Sequence, residues 1–414
     1  MNASAHDLAR GPSRRRLLAA AAAGTLAPVS ASLAFADAPA RAEAPRFVLV
    51  ILRGGMDGLG AVPAVGDPAF AGARGALAAD GATTLPLDPT FALHPALPSL
   101  HAMHGAGELA VVHAVGLPYR ERSHFDAQQV LESGGSKPFE LSTGWLGRAL
   151  AAGAGRGRPS VGIALDTAVP LVLRGHDAID TWAPSVLPEP TPDLVARLER
   201  LYAGDPALLA ALGRARALRG ETSMVGMTGT AGGSTAPQAP RPGGFAALAT
   251  RAAEFLGEAR GPQAAVLQLG GWDSHAGQAN PNGGFAFALR QLDAGLAALR
   301  TGLVERGAWS RTVVVVASEF GREVQGNGTL GSDHGTGGAC FVLGGPVAGG
   351  RVVTDWPGLA RADRFEGRDL RTTTDLRAVL AGVLGDHLRI ARRTLVDDVF
   401  PGSVSLRPLS LLKA

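Results

Sequence analysis

Six short apolar runs constrain this chain more than any other feature. Phe47–Leu52, Leu109–Val115, Val161–Leu165, Ala265–Leu269, Thr312–Ala317 and Cys340–Leu343 are continuous, rich in β-branched residues and do not alternate with polar ones. That is the pattern of strands covered on both faces. Between them lie stretches of helical character at His124–Glu132, Asp193–Leu218, Gly244–Glu258, Phe285–Arg306 and Thr374–Leu384. The alternation predicts an α/β fold with a mostly parallel central sheet and helices on both sides. The Gly/Thr/Pro-rich segment Gly220–Gly243 cannot pack a core of its own and reads as a flexible loop interrupting one domain. As an interdomain linker it would split the sheet, since only three of the strand-like runs precede it.

The N-terminus has a different character. Ser13-Arg14-Arg15-Arg16-Leu17-Leu18 leads into a small apolar run, Ala19 to Leu26, and then Ala34-Phe35-Ala36. These are the charged region, apolar region and cleavage site of a signal peptide, and the paired arginines make it a twin-arginine (Tat) signal. Residues 1–36 are therefore read as a Tat signal peptide and 37–414 as a single α/β domain, exported to the periplasm or beyond. Four arginines and one aspartate leave with the leader, so totals of 39 cations and 36 anions become 35 of each. A neutral chain of this kind offers no nucleic-acid surface, and no integral membrane segment is expected in the mature part. The one cysteine, Cys340, lies in an apolar run and reads as a small buried hydrophobe; no disulfide can be built from it.

In open parallel sheets ligands gather outside the carboxyl ends of the strands. Here those positions are unusually polar. After the first run come Arg53-Gly54-Gly55-Met56-Asp57, after the Ala265 run Gly270-Gly271-Trp272-Asp273-Ser274-His275, and after the Thr312 run Ser318-Glu319-Phe320-Gly321-Arg322, followed by Ser332-Asp333-His334-Gly335. Four carboxylates and two histidines on one edge repel one another unless a cation or a substrate balances them, and a divalent metal is the simplest balance. Each motif also has a plain structural reading: a turn at Asp57-Gly58, an N-cap at Asp273, an ion pair between Glu319 and Arg322, an exposed turn at Asp333-His334. Ser123, at the start of a helix after the Leu109 run, reads both as an activated nucleophile and as a cap whose box is completed by Asp126. His94, His101 and His104 read as packing or solvated histidines, His113 as a core residue, and His176 and His387 stand alone.

The ordered motifs "RFVLVILRGGMDGL", "RSHFDAQQVLESG", "LQLGGWDSHAGQ", "ASEFGREVQGNG", "SDHGTGG" and "TTTDLRAVLAGVL" resemble the DUF1501 family over nearly the whole mature chain. The resemblance implies a fold similar to the alkaline phosphatase/sulfatase superfamily, a three-layer α/β/α sandwich with metals at the carboxyl edge of its sheet. By that likeness Asp57 is the first metal ligand, Asp273, His275 and His334 hold a second metal with Asp333 beside them, and Glu319 follows the late strand. Ser123 is then the nucleophile or its vestige. The superfamily's adjacent Asp-His after the late strand is replaced here by Glu319-Phe320, which leaves a single-metal or degenerate site open. The implied activity is hydrolysis of a phosphate or sulfate ester, with Arg322 or Arg53 neutralising developing charge. Zinc or manganese suits the ligand types best, and a carboxylate-richer set admits magnesium or calcium. The rival expectation is an exported binding or assembly protein that keeps the fold without turnover.

Overall fold

The computed structural model describes residues 44–79, 81–153, 161–176, 178–184, 190–223 and 244–413, without the side chains of 217–223. The expected leader lies outside these residues, as does all of the 220–243 loop except Gly220–Ser223, which close a helix.

Among the described residues nine strands form one sheet: β1 (Arg46–Leu52), β2 (Leu109–Gly116), β3 (Gly162–Ala164), β4 (Ile179–Thr181), β5 (Ala264–Leu269), β6 (Thr312–Ser318), β7 (Gly338–Gly344), β8 (Arg351–Val353) and β9 (Thr374–Asp375). Their order is β8-β2-β7-β6-β1-β5-β3-β4, with β9 also on β2. The central strand β1 runs parallel to both neighbours, with Leu52 opposite Leu269 of β5 and Ser318 of β6. This register ends three strands level with one another, so Arg53, Gly270 and Glu319 leave the sheet side by side. The one strand running against the rest is β7, antiparallel to β2 and β6. An apolar run carries no sign of its direction. Its reversal brings the segment before β7, including Asp333 and His334, to the edge where β1, β5 and β6 end.

Every residue of β1 is buried. Successive side chains point to opposite faces of a strand, and they enter two separate cores. Val48, Val50 and Leu52 pack with α1 (Pro98–Gly105), α6 (Phe245–Gly257) and α7 (Gly284–Glu305). Phe47, Leu49 and Ile51 pack on the other face with α2 (His124–Ser133), α3 (Trp145–Gly153) and α8 (Leu376–Leu388). The result is the three-layer α/β/α sandwich that the alternation of runs predicts.

The stretch Asp193–Leu218, read from the sequence as one helix, is two: α4 (Pro192–Leu201) and α5 (Pro206–Ser223). Pro206 cannot continue the ladder, and the Asp205 carboxylate accepts from the backbone N–H groups of Ala207 and Leu208 to start the second helix. His113 is a core residue, as its place in a strand implies. Its Nε2 donates to the Val62 carbonyl at 3.0 Å, its Nδ1 accepts from Ala114 N at 2.8 Å, and burial pushes the imidazole down to about 4. Cys340 is buried, with its thiol pushed up to about 12 by that burial. Among the described residues no helix is long and apolar enough to cross a membrane.

Candidate metal centre

Three imidazoles and one carboxylate meet at the carboxyl edge of the sheet. His334 is at their centre: its Nε2 lies 3.1 Å from His124 Nε2, 3.1 Å from His275 Nε2 and 3.2 Å from Asp273 Oδ1. His275 Nε2 is 3.0 Å from the same Asp273 oxygen, and His124 Nε2 is 3.6 Å from its other oxygen. Ligand atoms of His124, Asp273 and His334 all fall within 4.8 Å of one another. The geometry follows from the register: Asp273 and His275 leave β5, His334 precedes β7, and His124 opens α2 after β2.

The other ring nitrogen of each histidine is pinned. His124 Nδ1 meets Glu319 Oε1 at 2.8 Å, His275 Nδ1 meets Asp333 Oδ1 at 2.9 Å, and His334 Nδ1 meets the Arg122 carbonyl at 3.0 Å. Carboxylates and carbonyls only accept, so each ring carries its proton on Nδ1 and turns the Nε2 lone pair inward. Three lone pairs and a carboxylate then face one another, and the donor that reaches them, Arg322 Nη2, bonds only Asp273 among them. A cation resolves that repulsion, and carboxylates or carbonyls that hold the far nitrogen of each imidazole are the usual outer shell of a metal site.

The neighbouring charges hold the carboxylates of the group ionised. Burial raises the Asp273 carboxyl, but the Arg322 hydrogen bond and charge, with His275 and His124, outweigh it and hold the group at about 2. The hydrogen bond that His124 donates to Glu319 raises His124, against the opposing effect of burial. His334 is lowered, first by burial and then by the charges of Arg322 and His124. Glu319 is 1% exposed, yet its carboxyl is held low, burial being outweighed by His124, Gly54 N and Gln128. Asp333 is held low by Asn327 and then His275. The Asp273 and His275 side chains remain nearly half exposed, so a solute can reach the centre.

The expected site residues thus divide. Asp273, His275 and His334 come together. Glu319 and Asp333 stand one shell further out, as partners of His124 and His275. Asp57, expected as a ligand, is elsewhere: it is 1% exposed, its Oδ1 caps the helical turn Gly58–Ala61 through Leu59 N, and its Oδ2 takes both Arg74 and Gln278 at 2.5 Å. The turn reading of Asp57-Gly58 describes it better than the ligand reading. Arg322, expected to face a substrate, is also 1% exposed and donates to the carbonyls of Gly54, Gly55, Trp272 and Ser332 and to Asp273 Oδ1. It fastens the loops and Asp273 in place. Arg53 is likewise spent, on Gln268 and Glu132. Ser123 occupies the N-cap position of α2, but its side chain makes no cap bond, and Asp126 bonds Tyr119 instead.

His124 is the ligand candidate that sequence reasoning missed. The signal was present: it holds the same position after a strand as the other motifs, but Ser123 beside it offered the more familiar chemistry.

A layered α/β/α protein with an imidazole and carboxylate centre at the carboxyl edge of its sheet is thereby defined. The sequence matches the DUF1501 family, "Protein of unknown function (DUF1501)", over residues 44–400, and the chain belongs to that family. No curated protein matches the sequence. Among solved structures it is similar to Ps i-CgsB in complex with k-i-k-neocarrahexaose, with TM-score 0.41 and 10% identity over 88% of this chain and 77% of that one. It is also similar to the phosphonate monoester hydrolase of Agrobacterium radiobacter, with TM-score 0.37 and 14% identity over 84% and 74%. A third is a putative sulfatase from Bacteroides thetaiotaomicron, with TM-score 0.34 and 11% identity over 84% and 72%. Likenesses this distant carry no argument about activity.

Proposed function

We propose that the chain is an exported, metal-dependent hydrolase of phosphate or sulfate esters. The observation that supports it is the convergence of His124, His334, Asp273 and His275 with every Nδ1 tied to an acceptor. An imidazole-rich set suits zinc or manganese better than magnesium or calcium. When bound, such a cation polarises an ester oxygen and eases the formation of a nucleophile at neutral pH.

The chain's own groups have defined tasks in this reading. Glu319 and Asp333 hold the His124 and His275 rings in the tautomer that faces inward. Arg322 keeps Asp273 ionised and aimed. Ser123 precedes His124, is not spent on capping α2, and is the proposed nucleophile: its oxygen would bond to phosphorus or sulfur as the ester P–O or S–O bond breaks, and its proton would leave with the departing ester oxygen as the free alcohol or phenol.

The withdrawal of Arg322, Arg53 and Asp57 into internal bonds favours one rival reading, a binding protein with a structural metal. One experiment separates the two: hydrolysis of an aryl phosphate and an aryl sulfate by zinc- or manganese-loaded protein and its Ser123→Ala variant. Turnover that disappears in Ser123→Ala while metal is retained supports the nucleophile; turnover that survives removes it; none in the wild type leaves the binding protein. Export is proposed from the Arg14-Arg15 pair, and export that is unchanged when Arg14 and Arg15 are both replaced by Lys would remove the twin-arginine assignment.

A further inference from the structure

A cavity of about 500 Å³ opens between the segment after the Phe70–Arg74 helix, the residues following Leu93, and the start of α7. None of the histidines of the metal centre lines it. Its walls are apolar, with Leu77, Ala96 and Phe285 among them, and the volume lies in the range of small-molecule sites. Thr83, Gln278 and Asn280 also line it, and two basic side chains, Arg290 and His94, bring nitrogen donors to the apolar part. Arg290 of α7 is tethered by Nη1 to the Pro281 carbonyl at 3.0 Å, and among the described residues no Asp or Glu pairs with it. His94 accepts from Ala96 N at its Nδ1, at 3.0 Å, which puts the ring proton on Nε2; that N–H has no partner among the described residues. Its ring stands edge-on to Phe285 at the apolar wall. Burial, then the charge of Arg290, lowers the His94 imidazole, as expected of a neutral donor held close to a cation.

An unpaired guanidinium and an imidazole N–H beside an apolar chamber match one ligand chemistry: an anionic head on an apolar body. We propose that this cavity is a second ligand site, separate from the metal centre, which takes an amphiphilic carboxylate with its head at Arg290 and His94 and its tail along Leu77 and Phe285. A single guanidinium and one further N–H provide for two carboxylate oxygens. The Gln278 side chain closes the wall on the side of the metal centre, where its Oε1 accepts from Ser274 and Ser332 and its Nε2 donates to Asp57.

The test is calorimetric titration of the full chain with octanoate, octan-1-ol and octylamine, with metal present and after chelation. Saturable one-site binding of octanoate is expected, about tenfold or more weaker for octanol and in Arg290→Gln, and largely restored in Arg290→Lys. Because Arg290 is exposed on a helix, its replacement leaves the fold intact, and His94→Gln serves as a second, independent variant. Absence of saturable octanoate binding, equal binding of octanol, or unchanged affinity in Arg290→Gln overturns the proposal. Loss of octanoate binding on chelation overturns it too, since that places the carboxylate at the metal centre. No arm depends on ester hydrolysis, so failure of the hydrolase reading leaves this result standing.

Discussion

His334→Ala is expected to abolish metal binding, because His334 Nε2 is the one atom within 3.2 Å of His124, His275 and Asp273 alike. Removing it leaves no nitrogen at the centre of the group. Its ring also rests against Phe320 at 5.1 Å between centroids, so folding is checked by circular dichroism before metal is measured. Metal per folded molecule, read by elemental analysis after dialysis against zinc, should fall to under about a tenth of the wild-type value. Glu319→Gln should be milder, about 10- to 100-fold in affinity, because it alters only the partner that orients His124. The contrast is what identifies the inner and outer shells. Full metal content in His334→Ala would mean that the four groups do not share a cation.

Much of this centre can be read from the sequence. Asp273, His275 and Glu319 follow β-branched runs whose parallel register collects such positions on one edge without any knowledge of the packing, and Asp333 and His334 join them from the segment between β6 and the antiparallel β7. What the sequence does not carry is depth. Glu319 leaves β6 one residue beyond Ser318 and turns inward until it is 1% exposed, behind the His124 ring, whereas Asp273 follows β5, on the other side of β1, and stays nearly half exposed. Both are carboxylates after strands; their separation into partner and ligand comes from side-chain direction within a few ångströms. The direction of β7 was hidden for a related reason, since Cys340–Leu343 is apolar throughout and is covered equally well in either orientation. The α4/α5 break was legible in principle at Gly204-Asp205-Pro206, but helical spacing on both sides outweighed it.

Asp57 shows most clearly where local sequence misleads, and it supplies the test between ligand and strut. Its partner Arg74 is 17 residues away, in a segment with no distinguishing motif, and both side chains are essentially unexposed. Arg74 depends on that carboxylate: its Nη1 donates to the Val324 carbonyl at 3.0 Å, while its Nε has no hydrogen-bond partner. Asp57→Asn keeps an oxygen to cap Leu59 N, but it puts an amide NH2 where Oδ2 accepts from Gln278 and Arg74, and it leaves a buried guanidinium without its counter-charge. The expected cost is about 3–5 kcal/mol of folding stability, read from the urea midpoint, because breaking a buried pair on one side strands the other charge. Replacing both together, as Asp57→Asn with Arg74→Met, should return a substantial part of that loss, since the stranded charge goes with it. Metal per folded molecule should be unchanged in either variant, because no ligand atom of the His334 group belongs to Asp57. A variant Asp57→Asn that keeps its stability but loses its metal would reverse the assignment, returning Asp57 to the ligands and leaving Arg74 without a reason for its burial.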